Sequence, residues 1–283
     1  MSFHRFQVLL QAATPIAHGD TVTGIDNQTN TRLFMRQGML VNGIPVRVPA
    51  ISENALRSTI FRAPLADHMV QALGIESGTL PQGVMNLLYA GGNMAAGSKA
   101  PAQEVALGIK ARTLYPVIDL LGGAVDAFIL PRACLRLACW LVADEYADTI
   151  AQVAPELESE ASKVSAFDLL AEETRTRGTG QHSGGNQMLY TYETLAAGSK
   201  ILLEITVDAQ AGEAAVAAVA HAFQCWDGYI GGQGRQGRGR MVVLSHTLPD
   251  SQAYLDHIAG HGEAMKEGLL DGTFGTGLQL CAG

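Results

Sequence analysis

A chain of 283 residues, 47% hydrophobic and 16% charged, has the material for a large packed core, which excludes global disorder. A net charge of −8 argues against indiscriminate nucleic-acid binding, although the distribution of charge matters more than its sum. The four cysteines, Cys134, Cys139, Cys225 and Cys281, form no CxxC pair, which disfavours a zinc site or disulfide scaffold and fits a reducing cytoplasm. The start MSFHRFQVLL is too short and wrongly flanked for a signal peptide. The apolar run from Ala127 to Ala143 is broken by Pro131, Arg132 and Arg136, so no membrane span is expected.

Along the chain, FHRFQVLLQAA (3–13) roughly alternates before turning apolar and predicts a first strand. TPIAHGDTVTGIDNQTNT is rich in Thr, Asn, Asp and Gly and predicts a long loop. LFMRQGMLVNGIPVRVPA predicts a hairpin turning at Asn42-Gly43. Ser52 then opens a helix with Glu53 at its positive end and Leu56 and Ile60 on one face, and Pro64 is expected to break or kink it. Residues 75–112 are rich in Gly, Ala and Ser and predict an insertion or mobile loop. LPRACLRLACWLVADE predicts a strand with Leu135, Leu137, Cys139 and Leu141 on its core face. The acidic stretch 146–165 suits a helix, and ETRTRGTGQHSGGNQMLY predicts an exposed loop or hairpin arm. KILLEITVDA predicts a strand, GEAAVAAVAHAFQCW an alanine-rich helix ending at glycines, and GRMVVLSH a last strand before a helical tail.

The resulting order, strand-helix-strand then strand-helix-strand, is the α+β ferredoxin-like or RRM-like βαββαβ unit. It predicts a single domain over 1–283, with insertions at about 14–50, 75–112 and 146–192 and a C-terminal extension at about 248–283.

Charge is unevenly placed. Between Arg32 and Arg62 five arginines face one acid, Glu53, whereas between Asp144 and Glu173 nine acids face only Lys163. The stretch YIGGQGRQGRGRMVV concentrates Gly231, Gly232, Gly234, Gly237 and Gly239 with Arg235, Arg238 and Arg240. A dinucleotide fingerprint would need a strand before these glycines and a helix after them, and the predicted order is the reverse. A disordered Arg-Gly tail does not fit between two firm elements, which leaves a solvated tight loop or a glycine-rich cradle for phosphates; the cradle is favoured. The helix start adds Ser52, Asn54, Arg57 and Ser58 as a second phosphate seat. Catalytic groups are sparse: there is no HExxH or GxSxG, and His257 and His261 at i, i+4 lie in an ordinary amphipathic segment, so no metal or other cofactor is expected. His18, Asp20 and Asp26 share the first long loop, where a carboxylate could serve RNA cleavage as a general acid or base, but turn capping is the favoured role.

Taken in order, several segments resemble the RAMP superfamily of CRISPR effector proteins, in particular its Cas-seven-like backbone subunits. They are QAATPIAHGD, VPAISENALRSTIFR, DLLGGAVDAFILPRACLRLACWLVADE, YETLAAGSKILLEITV and YIGGQGRQGRGRMVV, which together span about residues 3 to 245. The resemblance implies an RRM-like palm whose insertions form fingers and a thumb. It also implies a cytoplasmic subunit that lines up with further copies of itself in a helical filament along one CRISPR RNA. The partners it implies are that RNA, other effector subunits and a target DNA or RNA. RNA contacts would come from His18, Ser52, Asn54, Arg57 and Ser58, from the glycines and arginines of 231–240, and from Arg175 and Arg177 on an arm at about 172–192. In target-RNA-cleaving relatives an aspartate of the first loop performs cleavage; Asp26 is the nearest match, yet alignment on the following strand places Asn30 or Thr31 there. The overall style is nearest to type IV systems, and a non-catalytic scaffold is the expectation. The rivals are a target-RNA endonuclease using Asp26 and a small-molecule enzyme of ferredoxin-like fold.

Overall fold

The computed structural model describes residues 2–19, 31–41, 43–93, 105–125, 128–129, 133–177 and 188–270. The first strand, β1 (Phe3–Ala12), is followed by β2 (Thr31–Arg32) and the hairpin of β3 (Arg36–Val41) and β4 (Ile44–Pro49), which turns where Gly43 takes a φ of 78°. Then come α1 (Glu53–Leu56), a π-type turn over Arg57–Arg62 and α2 (Ala63–Ala72). The next segment holds α3 (Gln82–Met85), a second π-type turn over Asn86–Ala90, β5 (Gly92–Asn93), α4 (Val105–Leu114), α5 (Pro116–Leu121), β6 (Ala124–Val125) and β7 (Phe128–Ile129). After β8 (Leu135–Leu141) lie α6 (Ala147–Val153), α7 (Glu158–Ala161), and the pair β9 (Leu170–Arg177) and β10 (Met188–Leu195). The chain finishes with β11 (Lys200–Asp208), α8 (Glu213–Cys225), β12 (Met241–His246) and α9 (Gln252–Leu270).

Four of these strands form one antiparallel sheet in the order β12-β1-β11-β8. The first strand lies between the third and fourth of the set, with the second at the outer edge, and the crossovers carry α1–α2 and α8. That is the ferredoxin-like α+β topology expected from the pattern. The registers pair Val8 with Leu203 and Leu203 with Cys139, so the alternation of each strand brings apolar side chains onto a common face. Val8, Leu10, Ile201, Leu203, Ile205, Leu135 and Leu141 are buried there with Leu56, Ile60, Leu65 and Met69 and with Ala215, Ala218 and Ala222 of α8. Each fully buried Leu or Ile contributes about 1.5–3 kcal/mol, which makes this layer the main source of stability.

Two expectations change. The helix that starts after Ser52 is not interrupted at Pro64. The Ala63 N–H bonds to the Ser58 carbonyl, five residues back, so the ladder has already widened when the chain reaches the proline, and helical bonding resumes through Ala72. In the segment 75–112, the described residues 75–93 and 105–112 carry α3, the Asn86–Ala90 turn and most of α4, while residues 94–104 lie outside the described residues. Arg62 explains part of this. Buried, it donates to the carbonyls of Leu87, Leu121 and Gly122 at 3.1–3.2 Å, fastening the ends of two helical segments where partial negative charge gathers. Burial, with the Arg57 charge adding to it, pulls its pKa down to about 10, so it stays charged at neutral pH.

Ser52 caps its helix as read from the sequence: extended at φ −68° and ψ 126°, its hydroxyl accepts from the Ala55 N–H. Ser52→Ala is expected to cost about 1 kcal/mol in a denaturant titration, and Ser52→Asp to restore most of it.

Candidate nucleic-acid interface

The glycine-arginine loop begins where α8 ends. Trp226 Nε1 donates to the Tyr229 carbonyl at 2.9 Å, and the Asp227 carboxylate accepts from the Tyr229 N–H, which turns the chain out of the helix. The loop then closes on itself: Ile230 N–H bonds to the Gly239 carbonyl, Met241 N–H to the Gly228 carbonyl, and a short 3-10 turn, Gly234–Gln236, makes the tip. Gly231, Gly237 and Gly239 have φ values of 77°, 77° and 82°, which L side chains adopt at a cost. Two of these glycines are also required by space. A Cβ on Gly231 would stand 2.5 Å from the Ala17 carbonyl oxygen, and one on Gly239 only 2.0 Å from that of Ile230.

The loop is stitched to the segment that follows β1. Gly232 N–H donates to the Ala17 carbonyl at 2.7 Å and Gly239 N–H to the Pro15 carbonyl at 2.9 Å. Ala13 N–H donates to the Arg240 carbonyl at 2.8 Å, and Arg240 N–H donates to the Thr14 hydroxyl at 3.0 Å. One residue further on, His18 Nε2 accepts from the Ser52 N–H at 3.1 Å, at the first turn of the helix. Residues 14–18 thus bring the loop and the helix start to one place, and the same segment bonds through Ile16 to Leu195 of β10. The sequence marks QAATPIAHGD as a segment and His18 within it but gives no role to Thr14, Pro15 and Ala17, whose contribution is made largely by backbone atoms and leaves little side-chain signal.

The three loop arginines play different parts. Arg235 and Arg240 are exposed on the loop. Arg238 is 4% exposed, and its guanidinium is turned inward onto the Glu173 carboxylate of β9, with Nη1 buried and unpartnered. This ion pair ties the loop to the β9–β10 hairpin, and nothing in the sequence around Glu173 singles it out. Arg57 is likewise engaged: its Nη2 donates to the Leu135 carbonyl at 2.9 Å, at the start of β8, and burial lowers its pKa. Asn54 and Ser58 are exposed on the first turns. Arg175 and Arg177 stand on β9 opposite Tyr190 and Met188, in the hairpin expected for the arm. On the neighbouring strand Glu193 binds Arg36 at 2.9 Å and accepts from the Phe34 N–H at 2.8 Å, so the arm sheet also anchors the β3–β4 hairpin. Asp20 and Asp26 lie outside the described residues. Among the described residues no cluster of three His, Cys, Asp or Glu could hold a metal ion, and no helix is long and apolar enough to cross a membrane.

The Gly237 and Gly239 N–H groups are spent on the Gly234 and Pro15 carbonyls, so the loop offers phosphate its two exposed guanidinium groups, Arg235 and Arg240, which can bind it without reading bases. No protein-family model matches the sequence, and no curated protein matches it. Among solved structures, a chain described as "Type IV-B CRISPR Complex" is similar, with a TM-score of 0.57 and 17% identity over 90% of this chain and 99% of that one. The resemblance drawn from the sequence motifs is thereby met at the level of the fold: this chain has the fold of a chain of a type IV-B CRISPR complex.

Proposed function

We propose that this chain is a non-catalytic, RNA-binding backbone subunit of a CRISPR effector complex, of which several copies assemble along one guide RNA and present it for pairing with a target. The observation that carries the reading is the glycine-arginine loop, joined by residues 14–18 to the start of the α1 helix, with Arg235 and Arg240 outward and Arg238 inward. Such a surface grips a backbone whatever the base sequence, as a guide with a variable spacer requires. The shared fold with a chain of a CRISPR complex and the ordered set of motifs support the same reading. The acidic balance of the whole chain is compatible with it, because the RNA-facing charge is local.

The deciding experiment is expression with and without RNA of defined length, followed by measurement of absorbance ratio and particle mass. RNA is expected to copurify, with the protein mass rising in steps of 29.9 kDa as the RNA lengthens. A monomer free of nucleic acid, even after RNA is added, would sink the proposal and favour a small-molecule enzyme of this fold. Asp26→Ala is expected to leave assembled complexes unchanged in their action on target RNA; a loss of target-RNA cleavage would make the chain an endonuclease instead.

A further inference from the structure

Half of the chain's eight histidines lie where α9 meets the rest of the molecule: His68 on α2, His221 on α8, and His257 and His261 on α9 itself. The His68 and His221 rings stand 4.1 Å apart, and Tyr254 of α9 packs on both, at 5.5 Å and 4.8 Å between ring centroids. The Tyr254 hydroxyl is 3.2 Å from His68 Nδ1, and Tyr254 is fully buried. His221 is satisfied in its neutral form: Nδ1–H donates to Gln224 Oε1 at 3.1 Å, and Nε2 accepts from the Cys225 thiol at 3.2 Å. A charge on both rings at 4.1 Å would be repulsive in a half-buried site.

We propose that α9 is held by a proton-sensitive clasp, in which His68 and His221 must both be neutral for Tyr254 to seat, so that acidification loosens α9 from α2 and α8. This inference does not depend on RNA binding. Protons have a route, because His68 lines two cavities, of about 540 Å³ on one side and about 340 Å³ on the other. The charged and titratable groups around the pair are Asp67 of α2, Cys225 of α8, Asp227 beyond it, and Tyr254, Glu263 and Lys266 of α9. Asp67 and Asp227 are exposed, and their attraction for a charged His68 is screened, so burial decides the balance. Burial lowers the pKa of His68, with the nearby His221 adding to it, and lowers that of His221 against the opposing pull of Gln224. Two histidines depressed in the folded state bind fewer protons there than in the opened state. The stability they support is complete above the ordinary histidine pKa of about 6.5 and is lost as pH falls below it. The Tyr115 hydroxyl to Met265 carbonyl contact at 3.0 Å does not depend on histidine, whereas His257 Nε2, 3.0 Å from the Leu114 carbonyl, is a second histidine contact of α9.

Amide hydrogen exchange of the full chain at pH 7.5 and pH 5.0, corrected for the chemical exchange rate, tests the clasp. Protection of α9 is expected to fall at least about tenfold more than that of β11 on acidification. The double variant His68→Gln, His221→Gln should abolish that pH dependence. Equal protection of α9 at both pH values in the wild type would overturn the proposal, as would an unchanged pH dependence in the double variant, which would assign the effect to His257 and His261. If the variant does not fold, ring titration of the wild type by NMR decides. Both His68 and His221 should titrate below the ordinary histidine pKa of about 6.5, and either one titrating at or above it would refute the clasp.

Discussion

Replacing Arg235 and Arg240 together by glutamine is expected to weaken RNA binding about 100-fold, by about tenfold for each charge-assisted hydrogen bond to phosphate that is removed. Both side chains are exposed, so the folded structure gives up nothing when they are neutralised. A plot of log affinity against log salt should become shallower by about 1.4, since each phosphate neutralised on a single strand contributes about 0.7. The loss should be the same for RNAs of unrelated sequence, because phosphate contacts position a strand without reading it. Arg238→Gln is the informative contrast. Its guanidinium is committed to Glu173, so its removal should cost about 1–3 kcal/mol of stability and loosen the tie between the loop and the β9–β10 hairpin. Any effect on RNA binding should follow from that loosening and leave the salt slope nearly unchanged. Unaltered affinity and slope in the Arg235, Arg240 variant would show that the loop is not a phosphate cradle.

The difference between these arginines marks how far the sequence can be read. Local chemistry is legible. The alternation in β1 and β8, the strands β11 and β12, the alanine-rich α8, the Ser52 cap and the turn at Gly43 each depend on residues next to one another, and each is where the pattern places it. Their order alone is enough to predict the topology, because a βαββαβ succession leaves few ways to build one sheet. What stays hidden depends on distant partners. Nothing in GGQGRQGRGR separates Arg238 from its neighbours; Glu173, 65 residues earlier, does so by accepting its charge. Arg57 and Arg62 look alike on one helix, yet one serves the Leu135 carbonyl and the other three carbonyls from two later segments. Pro64 reads as a helix breaker because the widening of the ladder that accommodates it is set by packing, not by the proline's neighbours. Asp26, the one candidate for chemistry, lies outside the described residues, so its role rests on the proposed experiment.

The glycines of the loop make the sharpest claim about fold, and Gly239→Ala is expected to be the most damaging single methyl group that can be added to it. At φ 82° an alanine costs about 1–2 kcal/mol from backbone strain alone. Space adds to this, since the new Cβ would overlap the Ile230 carbonyl oxygen at 2.0 Å, and that oxygen belongs to the backbone and cannot swing aside. Relief requires the two sides of the loop to part, breaking the bond from Ile230 N–H to the Gly239 carbonyl and the bond from Gly239 N–H to Pro15. With those losses at about 1 kcal/mol each, the total reaches about 3–4 kcal/mol. Gly237→Ala supplies the control. Its φ of 77° imposes the same strain, but no atom lies within 4 Å of its Cβ, so the cost should stay near the backbone strain of about 1–2 kcal/mol. Chemical denaturation of the two variants separates the contributions: a difference of about 2 kcal/mol isolates the close approach of the backbones. RNA affinity should fall further in Gly239→Ala than in Gly237→Ala, because Arg235 lies within the loop that the Ile230–Gly239 pair closes and Arg240 follows Gly239 directly. Two variants of equal stability would mean that the loop is not closed onto Pro15 and Ile230, and the cradle built on that closure would fall with it.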